Sequence, residues 1–405
     1  MSKIIVKPPA LLLFCLFSLS QSTESVYTTG LPQISLEFNI DAGLAQTSSS
    51  VYFLGFAVGI FVLGSLSDLY GRRPVAIFGL TLFLITSICS FFANNVYMLI
   101  FLRFLQAFGA SVGSVVAQAI ARDSYKDIDL SKLYATLAAG IAITPAFGSL
   151  IGGYIVELLG WRYNFLYLFS VVFLVYLGLI FKLPETNMNK GKTDHFSEIF
   201  RVMIKDKKLI LYGSIIGIFN GIMYSFFIEA PFIFISKLHF HPSNYGFIIL
   251  ALSVAGMVGS IISRQVQKHI DGEKIIEIGL MLSLLSCAIF AILGILWAYN
   301  YIPNETIRVI LITPIIFQSI SFSVVMPLVL RYSLQNYTKI NGTAGSIFGT
   351  FYYIIIALIN FITTRIHSDT ITNFTIFILL ISLSSYILYR ISKKIPYNSS
   401  TPYRG

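Results

Sequence analysis

The chain alternates long apolar segments with short polar ones. A helix needs about 20 residues to cross the hydrocarbon core of a bilayer. Apolar segments of about that length occur twelve times, and we expect each to form one membrane-spanning helix. Numbered in chain order, spans 1 to 12 are residues 8–30, 47–67, 75–93, 96–118, 132–157, 161–182, 209–235, 244–263, 274–298, 308–330, 342–365 and 372–391.

One longer polar segment, residues 183–207, divides the twelve spans into two sets of six. The pattern therefore predicts an all-α membrane protein of two pseudo-symmetric six-helix bundles, residues 1–182 and 208–405, joined by a basic cytoplasmic linker. The second bundle carries a short basic tail. In proteins built from such repeats the substrate site lies between the halves, near the bilayer midplane.

Composition and charge support a membrane protein. Only 11% of the residues are charged and 56% are hydrophobic, whereas soluble domains have roughly 25% charged residues. The net charge of +10 would indicate nucleic-acid binding in a soluble protein. Here 23 of the 28 lysines and arginines fall in the terminal segments and the even-numbered connections, and only four fall in the odd-numbered ones. Because short basic loops stay inside, we expect both termini in the cytoplasm and no nucleic-acid partner.

The most distinctive polar stretch lies between spans 2 and 3 and reads Gly64-Ser-Leu-Ser-Asp68-Leu-Tyr-Gly71-Arg72-Arg73-Pro74. Gly71 permits a tight reversal, and Pro74 suits the first turn of the next helix. Asp68 ends its helix, where the macrodipole disfavours negative charge, so we expect it to have a partner elsewhere. Span 11 begins with small residues, including Gly342 and Gly345, and its N-terminus is our candidate partner for Asp68.

Three charged residues fall inside predicted spans, where charge is costly and indicates function. Glu24 lies roughly 9 Å from the outer end of span 1 and Arg103 roughly 12 Å from that of span 4, at 1.5 Å per residue, so the two could pair. Two interpretations of Glu24 are open, a proton-titrating carboxylate in the cavity or a carboxylate in a wet outer vestibule. Glu229, near the outer end of span 7, is either interfacial or part of the cavity.

Span 5 combines glycines with one proline, in the order Gly140, Pro145, Gly148, Gly152 and Gly153. Small residues at such spacing let helix backbones approach closely, and the proline removes one backbone hydrogen bond. For the substrate cavity the sequence offers only isolated polar candidates, which are Gln21, Gln106, Asn220, Glu229 and Gln318.

Motifs for soluble chemistry are lacking in the sequence. It has no phosphate-binding loop and no HExxH metal motif, and its three cysteines are far apart in apolar runs. We therefore predict that the chain is not an enzyme and uses neither a metal nor an organic cofactor.

Several of these segments resemble the Major Facilitator Superfamily across essentially the whole chain. The stretch from Gly64 to Arg73 is similar to the superfamily's loop motif, the segment from Arg103 to its span 4 motif, and span 5 to its antiporter motif, with Thr144 in place of a glycine. Short segments such as Ala146 to Gly153 and Pro184-Glu185-Thr186 are similar to the Bcr/CflA group of bacterial multidrug exporters. That group commonly has an aspartate in the outer half of span 1, where this chain has Glu24.

The resemblance implies a role for each motif. Asp68, Arg72 and Arg73, with Gly64 and Gly71, would form a cytoplasmic gate; Arg103 and Glu24 would couple protons; and the span 5 glycines would shape the interface between the halves.

The protein would then be a monomeric proton-driven antiporter of the bacterial inner membrane, exporting small amphipathic drugs and conferring antibiotic resistance. Its partners would be the substrates, protons and the lipid bilayer. Two alternatives stay open, a proton-coupled transporter of a nutrient or metabolite and a degraded protein that no longer transports.

Overall fold

The fold is all-helical in the computed structural model, which describes residues 8–125, 127–187, 196–337, 341–368 and 370–395. In the first half, here called the N-terminal bundle, the helices are α1 (Ala10–Thr28), α2 (Leu31–Glu37), α3 (Ala42–Tyr70), α4 (Arg72–Phe91), α5 (Val96–Ala110), α6 (Val115–Ser124), α7 (Asp127–Leu158) and α8 (Arg162–Lys182). A short 3-10 turn, Ser111–Gly113, joins α5 to α6, so these two helices together form span 4.

In the second half a short helix, α9 (Phe196–Lys205), precedes the C-terminal bundle. That bundle consists of α10 (Lys207–Pro231), α11 (Pro242–Val266), α12 (Gly272–Ala298), α13 (Asn304–Ile310), α14 (Ile312–Leu334), α15 (Asn341–Ile366) and α16 (Thr372–Lys394). A π-helical segment, Phe232–Lys237, extends α10 past Pro231, where the proline lacks the N–H that a regular α-helix would use.

Helices occupy all twelve predicted spans. Within the described residues, ten are long and apolar enough to cross a membrane by length and composition. The other two positions are taken by α1, whose second half is rich in serine and other polar residues, and by α7, whose apolar part Ile143–Leu158 is shorter. The prediction of an all-α membrane protein is confirmed, and several boundaries differ. α6 ends at Ser124 instead of residue 118, and α7 begins at Asp127 instead of residue 132. α3 starts at Ala42 instead of residue 47, α2 occupies the first loop, and α9 lies in the predicted linker.

Local sequence explains where several helices begin. A side-chain oxygen accepts the backbone N–H of a first-turn residue at the starts of α3, α5, α10 and α12, from Asp41, Asn95, Asp206 and Asp271. Such a cap contributes about 1 kcal/mol to helix stability. α3 begins early because Asp41 accepts from the Leu44 N–H at 2.8 Å, a signal that apolar length alone does not contain.

The two sides of the molecule can be told apart by the chain ends. The Tyr125 hydroxyl, just after α6, donates to the Pro8 carbonyl at 2.7 Å. In the other bundle the Lys208 ammonium lies 3.5 Å from the Ile395 carbonyl. We call the side that holds these residues the termini side and the opposite one the far side.

The two bundles touch mainly along two pairs of helices, α3 with α15 and α7 with α11, and smaller contacts join α10 to α1, α2 and α3. Both main contacts are tight on the far side. Gly43 on α3 lies against the Thr364 carbonyl, and Gly246 on α11 lies so close to α7 that an added Cβ would stand 2.6 Å from Leu150 Cα. The Ser243 N–H also donates to Glu157 at 3.2 Å. These contacts close the far ends of the bundles over the space between them.

Candidate functional site

A buried arginine organises the polar centre of the N-terminal bundle. Arg103 on α5 is 0% exposed and forms an ion pair with Glu24 on α1. Its Nη1 donates to Gln106 Oε1 at 2.7 Å, and Gln106 Nε2 donates to Ser87 Oγ on α4 at 2.8 Å. The pairing that the sequence allowed is therefore present, and the arginine is tied to α1 and, through Gln106, to α4.

Two tyrosine rings enclose the same guanidinium. Its carbon lies 3.9 Å from the ring centre of Tyr27 and 4.2 Å from that of Tyr52. A cation over an aromatic face is attracted by the ring quadrupole, more strongly when water is excluded. Tyr52 is held in turn by a hydrogen bond from its hydroxyl to the Ser20 carbonyl at 3.1 Å. The rings and the carboxylate together compensate a charge that the bilayer would otherwise penalise.

Glu24 joins this buried network to a cavity between the bundles. The cavity has a volume of about 450 Å³, and Glu24 is part of its wall. Glu24 Oε1 and Arg103 Nε are both buried without a hydrogen-bond partner among the described residues. The carboxylate therefore has one oxygen engaged by Arg103, and its other oxygen keeps lone pairs that are free to accept a hydrogen bond.

The cavity wall combines both bundles and is mainly apolar with small hydroxyl groups. Predicted candidates Gln21 and Asn220 contribute to it, and so does Pro145. The C-terminal bundle supplies most of the remaining wall, from α10, α11 and α14, with the residues Met223, Tyr224, Phe227, Leu252, Ser253, Gly256, Ser260, Ser319, Phe322, Ser323, Met326 and Pro327.

Sequence reasoning missed this serine-lined face. Ser253, Gly256 and Ser260 are spaced by three and four residues, and Ser319 and Ser323 by four, so each set lies on one face of its helix. A search for small polar residues at helical spacing within spans 8 and 10 would have found them.

Three predicted cavity residues lie elsewhere. Gln106 is fully buried in the Arg103 network, because its amide bridges Arg103 and Ser87. Gln318 is turned into the C-terminal bundle, where its Oε1 accepts the Ser283 hydroxyl at 2.8 Å. Glu229 lies at the far side, paired with His367. The sequence indicated the depth of each residue within its span but not the side of the helix on which it lies, so these three residues were assigned to the cavity.

The stretch from Gly64 to Arg73 forms the end of α3, a tight turn at Gly71 and the start of α4, on the termini side. Gly71 has φ of 111°, a conformation that favours glycine, as expected from the reversal. Asp68 pairs with Arg72, whose Nε also donates to Asp123 at 3.1 Å. Beyond the prediction, Glu185 caps α4, accepting the Arg72 N–H at 2.9 Å and the Arg73 N–H at 3.3 Å.

The structure shows Asp68 paired with Arg72, and its contact with the start of span 11 remains a prediction. Asp68, near the end of α3, pairs with Arg72, the first residue of α4, because the reversal at Gly71 brings the two helix ends together. At Gly345 nothing lies within 4 Å of an added Cβ, and the surroundings of Gly342 lie outside the described residues. The helices themselves do approach, since a Cβ at Gly64 would stand 3.7 Å from Ser346 Cβ.

The glycines of span 5 place α7 between α1 and the other bundle. Gly148 lies against the Ser25 side chain, and a Cβ at Gly152 would stand 2.6 Å from the Val26 carbonyl oxygen. Gly140 lies against the Phe14 ring. Gly153 faces the opposite way, against the Pro242 carbonyl of the C-terminal bundle. Side chains at these positions would push α7 away from both neighbours.

Comparison with known proteins agrees with this architecture. The chain is 45% identical to an uncharacterised transporter of Rickettsia bellii (strain RML369-C) over 403 residues, which is 97% of this chain and 100% of the relative. It is 24% identical to the chloramphenicol resistance protein CraA of Acinetobacter baumannii, covering 82% of this chain and 81% of the relative. A solved D-xylose-proton symporter superposes with a TM-score of 0.75 at 15% identity, covering 97% of this chain and 99% of the other.

The family assignment follows from a match over most of the chain. The model that describes the Major Facilitator Superfamily matches residues 13–360. Proteins of this family are transporters, so the prediction that the chain is not an enzyme is confirmed. The chain belongs to the Major Facilitator Superfamily.

Proposed function

We propose that the protein is a proton-coupled exporter of small amphipathic compounds, of the Bcr/CflA type. One observation carries the proposal. Glu24 is shared between the buried guanidinium of Arg103 and the wall of the cavity between the bundles. A carboxylate in this position can either bind a proton or stay ionised and pair with Arg103. A substrate that enters the cavity changes the surroundings of Glu24 and therefore its affinity for the proton.

The cavity also fits the substrate class. A volume of about 450 Å³ is within the usual range for small-molecule sites. Aromatic and methionine side chains offer apolar surface, serines offer adaptable hydrogen bonds, and Glu24 provides one negative charge. This combination favours neutral or cationic amphipathic compounds over anionic metabolites. One relative is named a chloramphenicol resistance protein, and chloramphenicol is therefore the first compound to test.

The direction of transport depends on orientation. We propose that the termini side faces the cytoplasm of a bacterium and the protein lies in its inner membrane, because most lysines and arginines belong to that side. A monomer is sufficient for the mechanism, since both halves of the cavity come from one chain. The proton gradient alone supplies the energy, without a cofactor, and export would confer antibiotic resistance.

Reconstituted protein gives the direct test. Proteoliposomes carrying a pH-sensitive dye inside are exposed to a panel of compounds that includes chloramphenicol, and proton movement is followed on addition of each. We expect substrate-dependent proton flux opposite to substrate flux, and loss of that flux in Glu24→Gln with substrate binding retained. Glu305→Gln is the matched control, because Glu305 is an exposed carboxylate outside the cavity.

Three outcomes would redirect the proposal. No proton flux with any compound would remove the exporter assignment and favour a chain that no longer transports. Proton and substrate moving in the same direction would favour uptake of a nutrient or metabolite. Normal coupling in Glu24→Gln would place the proton site elsewhere.

A further inference from the structure

A second buried carboxylate lies between the bundles on the far side, apart from the cavity and from Arg103. Glu229 on α10 is 2% exposed, and Gln46 on α3 is 0% exposed. Gln46 Nε2 donates to Glu229 Oε2 at 2.6 Å. His367, just after α15, places its Nδ1 3.0 Å from both carboxylate oxygens. Gln46 belongs to the N-terminal bundle and the other two residues to the C-terminal bundle, so the cluster joins the halves.

The net charge of this cluster depends on one proton. A neutral imidazole with its proton on Nδ1 can donate to an ionised carboxylate, and the Gln46 amide nitrogen faces both groups, 2.6 Å from Glu229 Oε2 and 3.4 Å from Nδ1. That arrangement leaves a net negative charge in a buried site. With one more proton, as an imidazolium beside a carboxylate or a neutral imidazole beside a carboxylic acid, the pair is neutral overall. Because a buried charge without a counter-charge is unfavourable, the dry cluster favours the form that holds this proton.

Neighbouring charged groups are engaged with other partners. The Lys237 ammonium donates to the Ser368 carbonyl at 3.2 Å, beside His367. Arg365 lies over the Phe361 ring, Asp41 caps α3, and on α1 and α2 Glu24 and Glu37 are paired with arginines. The imidazole ring packs against the Phe232 ring in a T-shaped arrangement, with 5.5 Å between ring centres. The contact between Glu229 and His367 is therefore governed by its own proton.

We propose that Glu229 and His367 form a proton-binding site of their own, and that the proton between them keeps the far ends of the bundles closed. Gln46 couples the protonation of Glu229 to the position of α3, because its amide donates to the Glu229 carboxyl group only while that group remains in the cluster. Loss of the proton would favour hydration of the carboxylate, and hydration requires α3 to separate from α10 and α15. Alkaline conditions on the far side therefore open this end of the molecule.

The site fits an exchange cycle, and this part rests on the proposed function. An exporter that has released its substrate to the far side must take up a proton there before it closes. A proton site that stabilises the closed far side makes closure follow proton uptake, which is the order that export requires. The closure itself requires no substrate, so it can be tested separately from export.

Distances across the far side report closure directly. Spin labels are attached at Leu36→Cys on α2 and Tyr301→Cys after α12, two exposed positions on opposite bundles, with Cys15, Cys89 and Cys287 replaced by serine. Pulsed electron resonance then gives the distance distribution in detergent without substrate, from mildly acidic to mildly alkaline pH. We expect a short distance in acid and a growing population of longer distances in alkali.

Variants of the two residues decide the outcome. Glu229→Gln is neutral at every pH and can still accept from His367, so we expect the short distance throughout and complete loss of pH dependence. His367→Gln is a second test should Glu229→Gln not fold, and it should also abolish the pH dependence. His239→Asn is the matched control, an exposed far-side histidine outside the cluster, and it should titrate like the unmodified chain.

The proposal is overturned if Glu229→Gln or His367→Gln titrates like the unmodified chain, or if His239→Asn also loses the pH dependence. It is equally overturned if the unmodified chain shows one distance at every pH. Failure of drug transport with the pH-dependent distances intact would remove only the exporter assignment.

Discussion

Gly43 on α3 lies directly against the carbonyl oxygen of Thr364 on α15, so that even a methyl group at Gly43 would overlap it. This is backbone-to-backbone contact between the two bundles, within one turn of Gln46. We expect Gly43→Ala to force the far ends apart and raise the population that is open to the far side. Accessibility of a cysteine at Thr28, a buried residue of the cavity wall, to a membrane-impermeant thiol reagent measures this change.

Gly345→Ala is the matched control for that substitution. Gly345 is also helical, but an added Cβ there meets nothing within 4 Å. The substitution should leave the labelling rate unchanged and stabilise α15 by about 0.5–1 kcal/mol, because alanine is the better helix former. Equal labelling of both variants would show that the Gly43 contact does not control opening.

Replacing Arg103 should lower the stability of the protein more than replacing its ion-pair partner Glu24. Arg103→Ala leaves a buried carboxylate without its cation and should destabilise the protein by about 3–5 kcal/mol. Glu24→Gln keeps hydrogen-bonding capacity and leaves Arg103 between two tyrosine rings, so the loss should be smaller. Unfolding in detergent measures both, and a larger loss in Glu24→Gln would contradict the role given to the rings.

Asp68→Asn should act on the conformational balance more than on folding. The substitution removes the charge beside Arg72, but Asp123 still accepts from Arg72 and Glu185 still caps α4. We expect the unfolding temperature to change little and the population open to the termini side to increase. Cysteine accessibility from that side measures the shift, with Asp123→Asn as the comparison. Unchanged accessibility would argue against a gate role for Asp68.

Glu37 makes the far side sensitive to acid. Partial burial raises the pKa of Glu37, but hydrogen bonds from Arg162 and Trp161 outweigh it, so the pKa is lowered overall. The stability this contributes is fully present above the unfolded pKa of about 4.3 and is lost as the pH falls through the lower folded value. Glu37→Gln should therefore flatten the stability profile in that acidic window, measured as unfolding temperature against pH.

The candidate site illustrates what depth along a helix can and cannot predict. Glu24 and Arg103 were expected at similar depth, and the structure places them in contact. Depth gave no information on which way Gln318 or Glu229 turns, because rotation about a helix axis is set by packing against neighbours. His367 was not identified at all, since it lies outside the predicted spans and only the fold brings it to Glu229.

Sequence by itself was sufficient for properties that depend on the solvent and on local chain geometry. Apolar length determines which segments can cross a bilayer, a carboxylate inside such a segment is conspicuous because of its cost, and the reversal at Gly71 follows from its own backbone freedom. The Glu229–His367–Gln46 cluster, the serine face of the cavity and the Glu185 cap join residues that are more than 100 positions apart or lie on different helices. Their contacts depend on helix rotation and on the docking of two bundles, which arise from the packing of the whole chain.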